Sequence, residues 1–147
     1  MKPIFNRRAR FDYQLLEKIE AGIALTGAEV KSVKAGQMSL GESFARISGD
    51  EVWLVNAHIS PYPFARQEDN QPRRTRKLLL HKSQILGLKQ KMKQRQLTLV
   101  PVSCYTKNNK IKVKIALARG KKKYQKKEAK KRKDLEREVE KELRGKI

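Results

Sequence analysis

Residues 110–133 read KIKVKIALARGKKKYQKKEAKKRK, and the change of pattern inside them decides the architecture. In the first half Ile111, Val113, Ile115 and Leu117 alternate with Lys112 and Lys114. That period of two belongs to a strand with one face buried and the other in water. In the second half almost no residue is apolar, so nothing there can build a core. A folded body over residues 1–118 is expected to hand over, at Arg119-Gly120, to a basic arm over 119–147.

Working outward, the 147 residues suit one domain and a tail. A body of that size can bury about two-thirds of its unfolded surface, enough for a core without staples. Cys104 is the only cysteine, which precludes an internal disulfide and fits a reducing compartment. Its place in an apolar alternating run predicts a small buried core residue. No apolar run reaches the ~18 residues of a spanning helix, and the N-terminus lacks the apolar stretch of a secretory signal. A soluble, cytoplasmic monomer is expected.

The formal net charge is +21. Residues 1–118 contribute +13 and residues 119–147 contribute +8, so the body is basic in its own right. Such a charge opposes compaction unless a polyanion balances it, and it predicts salt-sensitive binding to nucleic acid. An anionic membrane would call for an amphipathic helix with a wide apolar face, and none is evident.

Along the chain, residues 1–11 form a short basic lead-in with Arg7, Arg8 and Arg10, suited to gripping phosphate or else a frayed terminus. A strand is expected from Tyr13 to Leu25, bulged or bent at Gly22. TGAEVKSVKAG (26–36) reads as a short helix capped by Thr26, with Glu29 in capping-box register and Gly36 at its end. Ala28, Val30 and Val33 would form its inner face. Ser39–Ile47 and Glu51–Ile59 read as a hairpin across Ser48-Gly49-Asp50. Residues 60–76 lack a period and read as a mobile loop ending in Arg73, Arg74 and Arg76. A strand over 77–80 leads to a helix over 82–94, with Ile85, Leu88 and Met92 at helical spacing. Strands over 97–105 and 111–117 close a hairpin at Asn108-Asn109, and Pro101 marks an edge or bulge. About six strands, hairpin-connected and without a βαβ rhythm, predict a mostly β fold. The expected form is a small antiparallel OB-type barrel with two or three short helices.

The arm divides. Residues 119–133 hold ten Lys/Arg and one acid, and residues 134–147 hold four Lys/Arg and five acids. Arg119, Lys121, Lys122 and Lys123 are expected to contact RNA. Leu135, Val139 and Leu143 recur every four residues among strong helix formers. Three such residues pack no core, and an isolated helix of that length is marginal in water. An arm disordered when free and helical on a partner is the expectation. Tyr124, beside positive charge, suits stacking on an unpaired base, or packing on the body.

Catalytic chemistry finds no support. His58 and His81 lack the company of a metal site, and there is no Walker loop, nucleophile elbow or metal-spaced carboxylate cluster. Neither enzyme activity, metal nor cofactor is expected. Glu29 has two open readings: a helix cap, or a carboxylate that accepts base amino groups while repelling phosphate.

Taken together, NRRARFDY (6–13), EAGIALTGAEVKSVKAG (20–36), HISPY (58–62), RKLLLHK (76–82), LTLVP (97–101) and KVKIALARGKKKY (112–124) resemble the SsrA-binding protein (SmpB) family, in order and over nearly the whole chain. The resemblance implies an OB-type barrel that binds the tRNA-like part of transfer-messenger RNA (tmRNA) in trans-translation, the rescue of stalled ribosomes. It implies an arm that enters the decoding centre and then the empty message channel as a helix. Elongation factor Tu is a further implied partner, through the aminoacylated RNA. Carried over by position, Glu29, Leu79 and His81 touch the tRNA-like domain, and Asn6, Arg7 and Arg8 lie in the N-terminal motif. Gly120 is the joint before the arm, and Tyr124, Lys126 and Lys127 engage the decoding centre. Gln125-Lys126-Lys127 stands where Asp-Lys-Arg is common in the family, keeping the last two charges. A structural ribosomal protein or a nonspecific RNA chaperone is the alternative, since either would also be small, basic and tailed; a nuclease ranks far below both.

Overall fold

The two longest strands lie side by side in the computed structural model, which describes residues 1–66, 71–121, 134, 135 and 137. Strand β2 (Tyr13–Ile23) pairs antiparallel with β9 (Lys110–Gly120), from Tyr13–Gly120 at one end to Gly22–Lys112 at the other. β9 returns along β8 (Thr98–Lys107) through Asn108 and Asn109, with φ of 51° and 62°. Two successive left-handed residues make the tight turn that asparagine tolerates, as anticipated.

β4 (Phe44–Ser48) pairs with β5 (Glu51–Val55) across Gly49-Asp50, and β5 pairs with β7 (Arg76–Leu79). β7 joins β2, β9 joins β8, and β8 meets β4 at Leu99–Ala45. Six antiparallel strands thereby close a ring, and the fold is the OB-type barrel expected from the hairpin rhythm. Alternate residues of β5, β8 and β9 fill it: Val52, Leu54, Leu99, Cys104, Val113, Ile115 and Leu117 are all buried. Helix α3 (Lys82–Arg95), between β7 and β8, adds Ile85 and Leu88 to that core. Cys104 is the buried core residue foreseen, and burial pushes its thiol up to about 12. Among the described residues no helix is long and apolar enough to cross a membrane.

Several elements differ from expectation, each for a local reason. The described residues hold nine strands rather than about six, and three named helices, within the two or three expected. The stretch 39–47 splits into β3 (Met38–Ser39) and β4, because both the amide and the hydroxyl of Ser43 donate to the Leu40 carbonyl. Such a local bond competes with a ladder. The stretch 51–59 breaks at Asn56, which takes φ 65° and donates its side-chain Nδ2 to Glu42 O, leaving His58–Ile59 as β6. The β2 bulge lies between Leu15 and Glu17, not at Gly22. Gly22 serves a close approach instead: a Cβ there would stand 3.2 Å from Leu79 Cβ. Pro101 does mark a bulge, between Pro101 and Ser103.

That bulge organises the N-terminus, which is neither frayed nor a simple arm. It leaves two carbonyls of β8 free of the ladder. Asn6 takes both: its amide N–H donates to Val102 O and its side-chain Nδ2 to Pro101 O, each at 2.8 Å. Its Oδ1 accepts from Ala9 N at 3.2 Å, capping helix α1 (Arg7–Asp12). Ala9 packs beneath the helix on Val100 and Ala118, while β1 (Ile4–Phe5) adds a short strand to β8. Asn6→Ala is therefore expected to cost about 1–2 kcal/mol from the lost cap, and more for the orphaned Pro101 carbonyl. Urea unfolding of the two chains side by side measures it, and an unchanged midpoint with an unchanged slope would contradict the anchoring role.

Candidate nucleic-acid interface

The capping box at residue 26 becomes the centre of the site. Helix α2 (Gly27–Lys34) starts with Thr26 Oγ1 accepting from Glu29 N, and Glu29 Oε1 accepts in return from Thr26 N at 2.9 Å. The inner face of the helix is Glu29, Ser32 and Val33, whereas Ala28 and Val30 are only half-buried. The polar face turns inward because Glu29 has partners there. Arg76 Nε donates to its Oε2 at 2.5 Å, and Arg74 Nη2 donates to Oε1 at 2.6 Å.

Arg76 is wholly buried, although sequence placed it at the end of a mobile loop. Its guanidinium also donates to the carbonyls of Ala57, Gln71 and Pro72, so every arm of the fork is used. The missed signal was its spacing: Arg76 stands two residues before Leu78, on the inward face of the same strand. Burial alone would raise the Glu29 carboxyl. The hydrogen bonds from Arg74, the Thr26 amide and Arg76, with the Arg76 charge, overcome that and hold it below the usual carboxylate range. Arg76 is pulled below its ordinary range by burial, against the opposing pull of Glu29.

The Glu29 carboxylate lies beneath the surface with both oxygens occupied, so it ties α2 to β7 through Arg76 and holds the half-buried Arg74 beside it. Gln67 to Asn70, within the loop expected to be mobile, lie outside the described residues.

Residues from α2, β7 and the β2–β9 ladder line an open groove of about 380 Å³, with Gly22, Val30 and Leu79 in its wall beside Lys34, Lys110 and Lys112. Leu79 is 52% exposed there, an apolar side chain held up by a strand that Arg76 anchors. His81, exposed, precedes α3, and its amide donates to Gln84 Oε1. An apolar knob among lysines suits a nucleotide, whose sugar and base pack on carbon while its phosphate meets ammonium.

A second basic surface occupies the far end of the β2–β9 ladder. Arg7, Arg8 and Arg10 are exposed along α1, beside Arg119 and Lys121. Arg8 lies 3.5 Å from Glu42, an exposed pair of little energetic weight. Asn6 itself is buried, and it acts on this surface by holding α1 in place. The strand runs past the expected boundary at 118: Gly120 still pairs with Tyr13, and Lys121 donates its amide to Asp12 O and its Nζ to Arg10 O, both at 2.9 Å. The root of the arm is thus tied to the end of α1. From Tyr13 to Gly22 the strand spans up to about 30 Å, so the structure separates the predicted residues into two groups. Glu29, Leu79 and His81 gather at one end, and Asn6, Arg7, Arg8, Arg119, Gly120 and Lys121 at the other. Asp134, Leu135 and Arg137 are helical and exposed. Lys122, Lys123, Tyr124, Lys126, Lys127, Val139 and Leu143 lie outside the described residues.

Comparison with known proteins gives concordant matches. The family model described as SmpB protein matches residues 4–145. The SsrA-binding protein of Sulfurihydrogenibium sp. (strain YO3AOP1) is 54% identical over 142 residues, which is 97% of this chain and 93% of that one. That of Carboxydothermus hydrogenoformans is 50% identical over 141 residues, covering 96% and 95%. A solved chain from work on tmRNA-SmpB at the centre of the bacterial ribosome superposes with a TM-score of 0.69 at 48% identity. The match covers 84% of this chain and 87% of that one.

Proposed function

The chain belongs to the SmpB protein family, and on that premise we propose that it is the tmRNA-binding adaptor of trans-translation. The observation that carries the reading is the match, at 48% identity, to a protein solved with tmRNA in the bacterial ribosome. The geometry agrees. Leu79, on the strand that the Glu29–Arg76 pair anchors, shares its groove with three lysines, which supplies a preorganised RNA-holding end. The opposite end launches the basic arm toward the decoding centre and the empty message channel, where Tyr124, Lys126 and Lys127 engage first. The helix carrying Leu135, Val139 and Leu143 completes the occupation. Elongation factor Tu joins through the aminoacylated RNA, and the protein works as a cytoplasmic monomer without catalysis of its own. A general RNA chaperone would need neither this whole-chain likeness nor an arm divided into basic and helix-forming halves.

The test is a binding comparison. tmRNA is expected to bind more tightly than tRNA of similar size by about tenfold or more at one stated salt concentration. Equal affinity for the two would overturn the assignment, because charge alone treats them alike.

A further inference from the structure

Along a neighbouring face of α2 from the Leu79 groove lies a second cleft of about 480 Å³, with Ala28, Lys31, Tyr62 and Phe64 in its wall. Phe64 is 86% exposed, the most exposed large apolar side chain among the described residues. A single exposed ring is unremarkable by itself, but this one is built into place. The segment reads Pro61-Tyr62-Pro63-Phe64. Ala65 N donates to Tyr62 O at 3.1 Å, closing a turn with Pro63 at the position whose φ proline presets. Phe64 therefore stands at the tip of a stiffened turn, where ordering it costs little further entropy. Its ring meets Tyr62 edge-on, with centroids 5.5 Å apart and planes at 68°. Lys31 Nζ lies 5.2 Å from the Tyr62 centroid. One aromatic face is open, a second ring braces it, and a cation stands beside the pair.

We propose that Phe64, with Tyr62 and Lys31, forms a second RNA subsite that stacks one unpaired base of the tmRNA. The inference rests on the proposed function and deepens it. An open aromatic face beside a lysine matches the two parts of a nucleotide, the base on carbon and the phosphate on ammonium. The source is the RNA in the Leu79 groove because α2 is the shared wall. Val30 and Lys34 line the first cleft, Ala28 and Lys31 the second. With its side chains a helix is about 10–12 Å across, so two clefts on its adjoining faces lie within reach of one strand.

Binding of the full-length chain to isolated tmRNA at fixed salt tests it, with Leu79→Ala as reference. Phe64→Ala is expected to weaken binding by about 5- to 150-fold, the range for losing one stacked base. Phe64→Leu is expected to be as weak and Phe64→Trp to restore affinity, since stacking needs a ring and not merely bulk. If Phe64→Ala binds like the wild type while Leu79→Ala is impaired, the subsite is wrong and the adaptor reading stands. If Phe64→Leu binds like the wild type, bulk suffices and stacking is wrong. A Phe64→Ala defect seen only on the ribosome would place the ring against ribosomal RNA and equally overturn the proposal. Failure of the wild type to prefer tmRNA would remove the proposed function itself.

Discussion

Glu29→Ala is expected to destabilise the protein by about 3–5 kcal/mol, the range for stripping one partner from a buried ion pair. Arg76 has no exposed surface, so its charge would be left in the barrel wall against carbonyl oxygens alone. The same change removes the reciprocal half of the α2 capping box. Against a typical total of about 5–15 kcal/mol, that is a large share. Urea unfolding followed by circular dichroism measures it, and a loss under about 1 kcal/mol would show that the pair is not what holds β7. Glu29→Gln keeps an acceptor for Thr26 and Arg74 and should fall between the two. The pH dependence has a definite sign. The folded carboxyl lies below its unfolded value, so the pair's contribution is present above the unfolded pKa and is lost as pH falls through the folded one. The wild type should lose stability in that acid window, and Glu29→Gln should lose this component of the dependence. RNA affinity should fall along with stability, since Leu79 sits three residues beyond Arg76 on the same short strand.

Elements specified by neighbours in sequence were legible before the structure. Alternation from Ile111 to Leu117, the Asn108-Asn109 turn and the Thr26–Glu29 box all depend on residues within a few positions of one another. What stayed hidden depends on partners far along the chain. Asn6 becomes a cap and an anchor only because the bulge at Pro101, 95 residues away, frees two carbonyls for it. Arg76 belongs to a run that looks like solvated basic loop, and only Glu29, 47 residues earlier, turns it inward. Gly22 reads as a bend from its flexibility, but its reason is steric: Leu79 crosses where a side chain would be. Charge patterns were misleading in the same way. A lysine or arginine on paper carries no mark of whether it faces phosphate or a carboxylate until topology brings an acid beside it.

Removing residues 122–147 is expected to abolish peptide tagging on stalled ribosomes while leaving affinity for isolated tmRNA nearly intact. The cut is chosen from the geometry. A chain ending at Lys121 retains the Gly120–Tyr13 pairing and both Lys121 bonds to α1, so the barrel and its N-terminal helix stay anchored. Ending the chain at 118 would remove those bonds and confuse loss of the arm with loosening of α1. The deleted segment carries 12 Lys/Arg and 6 acids, so some electrostatic affinity for any RNA must go with it. That part should appear as a shallower dependence on salt, equally for tmRNA and tRNA, with the preference between them kept. The Leu79 groove, at the other end of a strand spanning up to about 30 Å, should not register the cut. Gel-shift titrations at two salt concentrations and a tagging assay on ribosomes stalled without a stop codon provide the two readouts. If tmRNA preference disappears with the arm, recognition does not reside in the barrel and the two ends do not have separate tasks. If tagging survives, the arm is not the element that engages the decoding centre.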